Sequence, residues 1–293
     1  MATTARPRRS VLYMPGSSAR ALDKARGLPA DGLILDLEDA VTPDAKDTAR
    51  DQVVAALAQG GYGGRELIVR INGLDTPWGD DDIAAIAPTG AHAILLPKIN
   101  NAAMVADAEK RMVDGGASAG MAIWSMMETP LAILHAEEIA FSSPRLAALV
   151  MGTSDLAKDL HAAHTKERLP LLGSLNMCLL AARAAALAIL DGVYLDLADS
   201  DGFRYSCEQG QQMGFDGKTL IHPKTIDAAN SAFAPSDAEV AWSRKIIAAH
   251  AAAENEGQGV LLVDGKLIEN LHVESAKRSV QLSEAISDLQ GAA

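Results

Sequence analysis

The sequence predicts an α/β fold, a (β/α)8 TIM barrel followed by a C-terminal appendage of helices and a β-ribbon. Three observations carry that expectation. Eight short apolar runs alternate with helical stretches along the first 233 residues. Several of the runs end on a charged residue: Arg70 in Val69-Arg-Ile-Asn-Gly, Glu128 in Met126-Met-Glu-Thr-Pro, and Asp155 in Met151-Gly-Thr-Ser-Asp. No Gly-x-Gly-x-x-Gly follows any run, so a dinucleotide-binding doubly wound sheet lacks its main sign. In a parallel barrel all strand ends face one rim, where such folds place their chemistry.

The strands expected are Val11–Met14, Gly32–Leu37, Glu66–Asn72, Ala93–Lys98, Met121–Met127, Leu146–Met151, Gly192–Leu197 and Lys218–His222. Each is a compact apolar run, as strands buried on both faces require. The helical stretches between them are Ser17–Arg26, Asp44–Leu57, Asp80–Ala87, Ala102–Asp114, Pro130–Ala140, Leu175–Ala188, Asp201–Met213 and Ile226–Ser231. Thr42-Pro-Asp is a start signal for the second. Gly60-Gly61-Tyr62-Gly63-Gly64 is a flexible link, with no phosphate-loop pattern. Strand-then-helix order repeated eight times implies right-handed crossovers and closure.

The barrel is expected over residues 1–233 and the appendage over 234–293. The appendage reads as an Ala-rich amphipathic helix at Ser236–Glu256, a ribbon at Gly259–Leu262 and Lys266–Ile268 turning at Asp264-Gly265, and a last helix at His272–Leu289. Standing outside the eight repeats, it is expected to form a lid at a subunit boundary.

Composition excludes several classes. The 293 residues are 48% hydrophobic with formal net charge −12. An acidic chain does not neutralise phosphates, so nucleic acid is not an expected partner. No apolar run approaches the roughly 18–20 residues that span a membrane. The Arg8-Arg9 pair precedes too short an apolar stretch, Val11–Pro15, for an export signal, which needs about 7–15 residues. Cys178 and Cys207 have no metal-ligand spacing, so reduced thiols in a cytoplasmic protein are expected. Charge is nonetheless uneven. Residues 1–26 carry Arg6, Arg8, Arg9, Arg20, Lys24 and Arg26 against Asp23. They read either as a solvated arm or as a dock for a polyanion such as a nucleotide phosphate tail.

Glu128 and Asp155 end consecutive strands and would both point into the barrel mouth. Mg2+ takes oxygen ligands, often one or two carboxylates with water and substrate, and Mn2+ is the alternative. The rival reading makes each acid a helix cap. Arg70 follows Leu67-Ile-Val, and an Arg in so apolar a strand needs a partner. Its fork suits a carboxylate or carbonyl-bearing anion, with Glu38 or Asp39 orienting the other edge. Lys98 ends another strand, where a Schiff-base role competes with a plain cation. His222 ends the eighth strand.

These residues, and the stretches around them, carry a resemblance. Leu12-Tyr-Met-Pro-Gly, Leu35-Asp-Leu-Glu-Asp-Ala-Val, Val69-Arg-Ile-Asn-Gly-Leu-Asp-Thr-Pro, Leu96-Pro-Lys, Glu128-Thr-Pro, Gly152-Thr-Ser-Asp-Leu, Asp199-Ser-Asp-Gly-Phe and Gly217-Lys-Thr-Leu-Ile-His-Pro-Lys span nearly the whole chain. Together they make it resemble the acyl-CoA lyases related to the citrate lyase beta subunit. That family includes malyl-CoA, β-methylmalyl-CoA and citramalyl-CoA lyases and malyl-CoA thioesterase.

The resemblance implies a homotrimer or homohexamer of barrels, Mg2+ on Glu128 and Asp155, and Arg70 on the acyl oxygen. It also implies a CoA thioester bound along the first strand–helix loop by Tyr13, Ser18 and Lys24, and by Ile221 and His222. Family lyases present an Asp from a neighbour's appendage, whereas Lys266-Leu-Ile-Glu-Asn puts Glu269 here. The leading expectation is reversible C–C cleavage of a malyl-CoA-type thioester to acetyl-CoA or propionyl-CoA and an oxo acid, glyoxylate or pyruvate. The alternatives are hydrolysis to malate and CoA, a CoA-independent metal aldolase, and a partner-dependent citrate lyase beta-type subunit.

Overall fold

The computed structural model describes residues 6–255 and 261–291. Strands β1 (Ser10–Pro15), β2 (Gly32–Asp36), β3 (Glu66–Arg70), β4 (Ala93–Leu96), β5 (Ala122–Met127), β6 (Leu146–Met151), β7 (Ala188–Asp191) and β8 (Gly217–Leu220) pair in sequence order and close into a barrel. Every neighbouring pair in it is parallel, β8 returning to β1. Helices α1 (Ala19–Lys24), α2 (Lys46–Gln59), α3 (Gly79–Ile86), α4 (Ala102–Asp114), α5 (Pro130–Leu134), α6 (Ala136–Ala140), α7 (Thr153–Asp159), α8 (Leu172–Ala184), α9 (Ser200–Met213) and α10 (Ile226–Phe233) lie between and after the strands. Among the described residues no helix is long and apolar enough to cross a membrane.

Alternation along the strands sorts the barrel into two cores. Val11, Ile34, Ile68, Leu95, Trp124, Met126, Val150 and Leu190 fill the interior. Their sequence neighbours, such as Leu12, Leu35, Val69, Ile94, Met127 and Leu149, face outward against the helices. Side chains two residues apart share a face. Ile34 therefore sends Asp36 inward, Ile68 sends Arg70, and Met126 aims Glu128 at the mouth.

The floor of the barrel accounts for much of the basic N-terminal segment. Arg8 pairs with Glu66 at 2.7 Å and lies 5.2 Å from the centre of the Trp124 ring. Arg9 pairs with Asp31 through two side-chain bonds of 2.7 and 2.9 Å. Arg26 bonds Gly60 O, Asp23 and Gln59. These three arginines are engaged in structural pairings. Arg20 and Lys24 stay exposed on α1.

The seventh strand departs from expectation. It runs Ala188–Asp191, before the expected Gly192–Leu197, and α8 ends at Ala184. Ala184-Ala-Ala-Leu-Ala-Ile-Leu reads as one apolar helix because its stop signal is disguised. Ala186 holds the left-handed conformation (φ 57°) that a helix end ordinarily gives to glycine. The expected helix Pro130–Ala140 is likewise two, α5 and α6, broken at His135.

The described residues divide into two compact units, one of them Arg8–Phe233. The other comprises Arg6, Pro7 and the described residues from Ala234 onward. In it α11 (Asp237–Asn255) and α12 (Asn270–Gly291) flank the hairpin of β9 (Leu261–Val263) and β10 (Lys266–Ile268). Ile246, Val263, Ile268, Val273 and Ala276 form its own small core. Glu256, Gly259 and Val260, which the sequence assigned to the helix end and ribbon, lie outside the described residues.

Candidate active site at the barrel rim

Arg70 is the centre of the rim, and its main partner is not one the sequence reading named. Asp36, the last residue of β2, takes Arg70 Nε and Nη2 at 2.6 Å each. Its two oxygens also accept the backbone N–H groups of Glu38 and Ala40. Glu38 and Asp39, the expected partners, meet only Arg70 Nη1, at 2.9 and 3.5 Å. Asp36 was recoverable from alternation, since it shares the inward face with Ile34. The Tyr13 ring lies beside the guanidinium, with the Arg70 carbon 4.8 Å from its centre. Tyr13 thus points into the barrel, and its hydroxyl meets Met126 Sδ at 3.5 Å.

Glu128 is 2% exposed. Its Oε1 accepts the backbone N–H of Lys98 at 2.7 Å. Lys98 holds a left-handed backbone (φ 50°), a sparsely populated state for a residue with a side chain. Gly152 lies against the other oxygen: a Cβ there would fall 2.6 Å from Glu128 Oε2. A side chain at 152 would therefore displace Glu128. Asp155, two residues into α7, is half-buried.

Burial pushes the Glu128 carboxyl up to about 7. The Lys98 N–H opposes that rise, and the charges of Glu38 and Asp155 add to it. Glu38 is also raised, first by burial, against the pull of Arg70 and Lys98. Lys98 Nζ pairs with Glu38 Oε1 at 3.2 Å. Burial alone would lower the Lys98 ammonium, but Glu38 more than offsets it, so the net shift is upward. A lysine held protonated is a poor Schiff-base nucleophile.

Around Arg70 and Lys98 stand Asp36, Glu38, Asp39, Glu128 and Asp155, five carboxylates to two cations. That excess of negative charge, with oxygen donors alone, fits a hard divalent cation between Glu128 and Asp155. Among the described residues no three His, Cys, Asp or Glu side chains form a metal-binding group. Two carboxylates completed by water and substrate suffice for Mg2+.

Ile221 and His222 follow β8, which pairs with β1. Ile221 is 41% exposed. His222 Nδ1 accepts the Lys224 N–H at 3.1 Å. Ser18, in the loop after β1, accepts from Ala21 N and caps α1. Lys24 ends that helix. Glu269 belongs to the second unit, where it is exposed between β10 and α12 and its backbone N–H donates to His272 Nδ1 at 3.0 Å.

A closed parallel barrel with an acid-rich rim around a clamped arginine has the architecture of an enzyme whose chemistry sits at the strand ends. Residues 9–223 match the model of the HpcH/HpaI aldolase/citrate lyase family, and the chain belongs to that family. A (3S)-malyl-CoA thioesterase of Cereibacter sphaeroides is 50% identical over 287 residues, 98% of each chain. The citrate lyase subunit beta of Escherichia coli is 37% identical over 277 residues, 93% of this chain and 92% of its own. The Mycobacterium tuberculosis protein CitE, in complex with magnesium, acetoacetate and coenzyme A, superimposes with TM-score 0.76 at 26% identity. That match covers 96% of this chain and 100% of CitE.

Proposed function

We propose that this enzyme hydrolyses a malyl-CoA-type 3-hydroxyacyl-CoA thioester to the free hydroxy acid and CoA. The observation that carries the reading is the 50% identity, over 98% of both chains, to a (3S)-malyl-CoA thioesterase. It reverses the order of the sequence reading, which put C–C cleavage first. Cleavage stays second, favoured by the more distant citrate lyase beta relatives.

In the proposed reaction Glu128 and Asp155 would hold Mg2+, the cation present in the CitE complex. A cation held there would supply positive charge near the thioester oxygen as it becomes negative. Arg70 Nη1 adds a directed N–H to that oxygen, and Asp36 fixes the guanidinium plane. Tyr13, Ser18, Lys24, Ile221 and His222 would receive the CoA moiety, as the family resemblance implies. Glu269, brought by a neighbouring copy in a homotrimer or homohexamer, would take a proton from water. The water oxygen then bonds to the thioester carbon, the C–S bond breaks, and the proton held by Glu269 passes to the leaving CoA thiolate. Buried unpaired Cys178 and Cys207 suit the cytoplasm as the setting.

Incubation with (S)-malyl-CoA and Mg2+, read by mass spectrometry, tests the proposal. Free malate with CoA is expected, and Glu269→Gln should slow its release about 100-fold. Glyoxylate with acetyl-CoA as the sole products would restore the cleavage reading.

Proton competition gives a second expectation. A carboxyl raised to about 7 must lose its proton to bind a cation. Mg2+ affinity, measured calorimetrically, should therefore weaken as pH falls below about 7, by up to about tenfold per unit. The stability sign is opposite in metal-free protein. Glu128 contributes most below its unfolded value, and that contribution is lost as pH rises through about 7. Affinity that does not change between pH 8 and 5.5 would remove Glu128 as a ligand.

A further inference from the structure

Only one end of the Arg70 guanidinium can serve a ligand, because Asp36 takes Nε and Nη2. That end is already met by a carboxylate of the chain itself. Glu38 Oε2 lies 2.9 Å from Arg70 Nη1, and Glu38 Oε1 lies 3.2 Å from Lys98 Nζ. The Glu38 carboxylate therefore spans the two cations as a bound carboxylate would.

Its fit there is poor. Oε2 is buried and makes no hydrogen bond, so its contact with Nη1 is charge pairing off the N–H axis. The side chain is 10% exposed, so water compensates little. It also borders a cavity of about 450 Å³, lined by Asp39, Lys46, Asn72, Asp75, Trp78 and Lys98, into which it has room to turn. Lys46 fixes the backbone beneath it, donating to Leu37 O at 2.8 Å and Glu38 O at 2.7 Å. The main chain is thus pinned while the carboxylate is loosely held.

We propose that Glu38 is a built-in competitor for the Arg70–Lys98 cation pair, which makes the rim discriminate against free carboxylates. A small hydroxy or oxo dicarboxylate has only its charge and a few hydrogen bonds with which to displace Glu38. A thioester brings in addition the binding of its long CoA arm. After hydrolysis the freed acid loses that arm, and Glu38 returns to the cations and expels it. The inference deepens the proposed function, resting on the rim as the acyl site and naming the residue that sets its selectivity.

Calorimetric titration of the folded enzyme with L-malate in the presence of Mg2+ tests it, with Glu38→Gln beside the unmodified chain. Removing one negative charge beside two cations should tighten malate at least about tenfold. Glu38→Asp, which keeps the charge, should stay within about threefold of the unmodified protein. Glu38→Ala carries the same expectation as Glu38→Gln should the latter fail to fold. Malate bound equally or more weakly by the uncharged variants would overturn the proposal and make Glu38 part of the binding machinery. Because the readout is carboxylate binding, it stands apart from thioester turnover. A chain that does not hydrolyse malyl-CoA, yet binds malate more tightly without Glu38, would refute the hydrolytic reading alone.

Discussion

Glu128→Gln should lose Mg2+-dependent turnover by roughly a thousandfold, about 4 kcal/mol of transition-state stabilisation, and Asp155→Asn should do the same. Glutamine is the informative replacement for Glu128. The Glu128 oxygen accepts the Lys98 N–H, and an amide oxygen of the same shape keeps that bond. Alanine would leave a buried donor unpaired, at about 1–3 kcal/mol of stability, and so mix folding with function. The Glu128→Gln change removes the charge alone. Calorimetry should show Mg2+ binding lost in both variants while thermal unfolding stays cooperative. Full activity of the unmodified protein in EDTA would sink the metal reading. If both variants bind Mg2+ normally, Glu128 only anchors the Lys98 backbone and neither acid is a metal ligand.

How far this rim could be read beforehand depended on which signals are local. The barrel was legible because eight apolar runs alternate with helices, and that alternation is the fold's own period. Arg70, Glu128 and Asp155 were legible because a charge at the end of an apolar run is conspicuous. Asp36 was hidden by its neighbours: in Leu35-Asp-Leu-Glu-Asp three acids compete, and only inward–outward alternation from Ile34 separates them. The backbone of Lys98 was illegible for another reason. Its N–H orients Glu128 through a left-handed conformation that no glycine announces. Ala186 hid the start of β7 in the same way. Within the basic N-terminal segment composition cannot tell floor from rim, and Arg8 and Arg9 are ion-paired on the floor. Where tertiary packing stabilises an unfavourable backbone or buries an ion pair, one-dimensional patterns run out.

Arg70→Lys should lower kcat about 100-fold with the fold intact, and the reason lies in how Asp36 divides the guanidinium. Two nitrogens are spent on Asp36 at 2.6 Å each, and the third, Nη1, is shared with Glu38 and Asp39 and is the one a ligand can compete for. A lysine has one nitrogen. It can satisfy Asp36 or reach an acyl oxygen, and it cannot do both in one geometry. Asp36 is then a positioning residue, acting through Arg70. Asp36→Asn puts an amide donor against an arginine donor, so the guanidinium should swing toward Glu38 and Asp39. kcat should fall by about tenfold or more, with KM for the CoA ester changed less than kcat. Breaking so buried a pair should also cost roughly 3 kcal/mol of stability. The two changes should be far from additive, since each removes the same alignment: Asp36→Asn in the Arg70→Lys background should cost little more activity. A purely structural ion pair predicts the reverse pattern. Arg70→Lys would then unfold at lower temperature yet keep near-normal kcat, and the acyl oxygen would have to be stabilised by the cation alone.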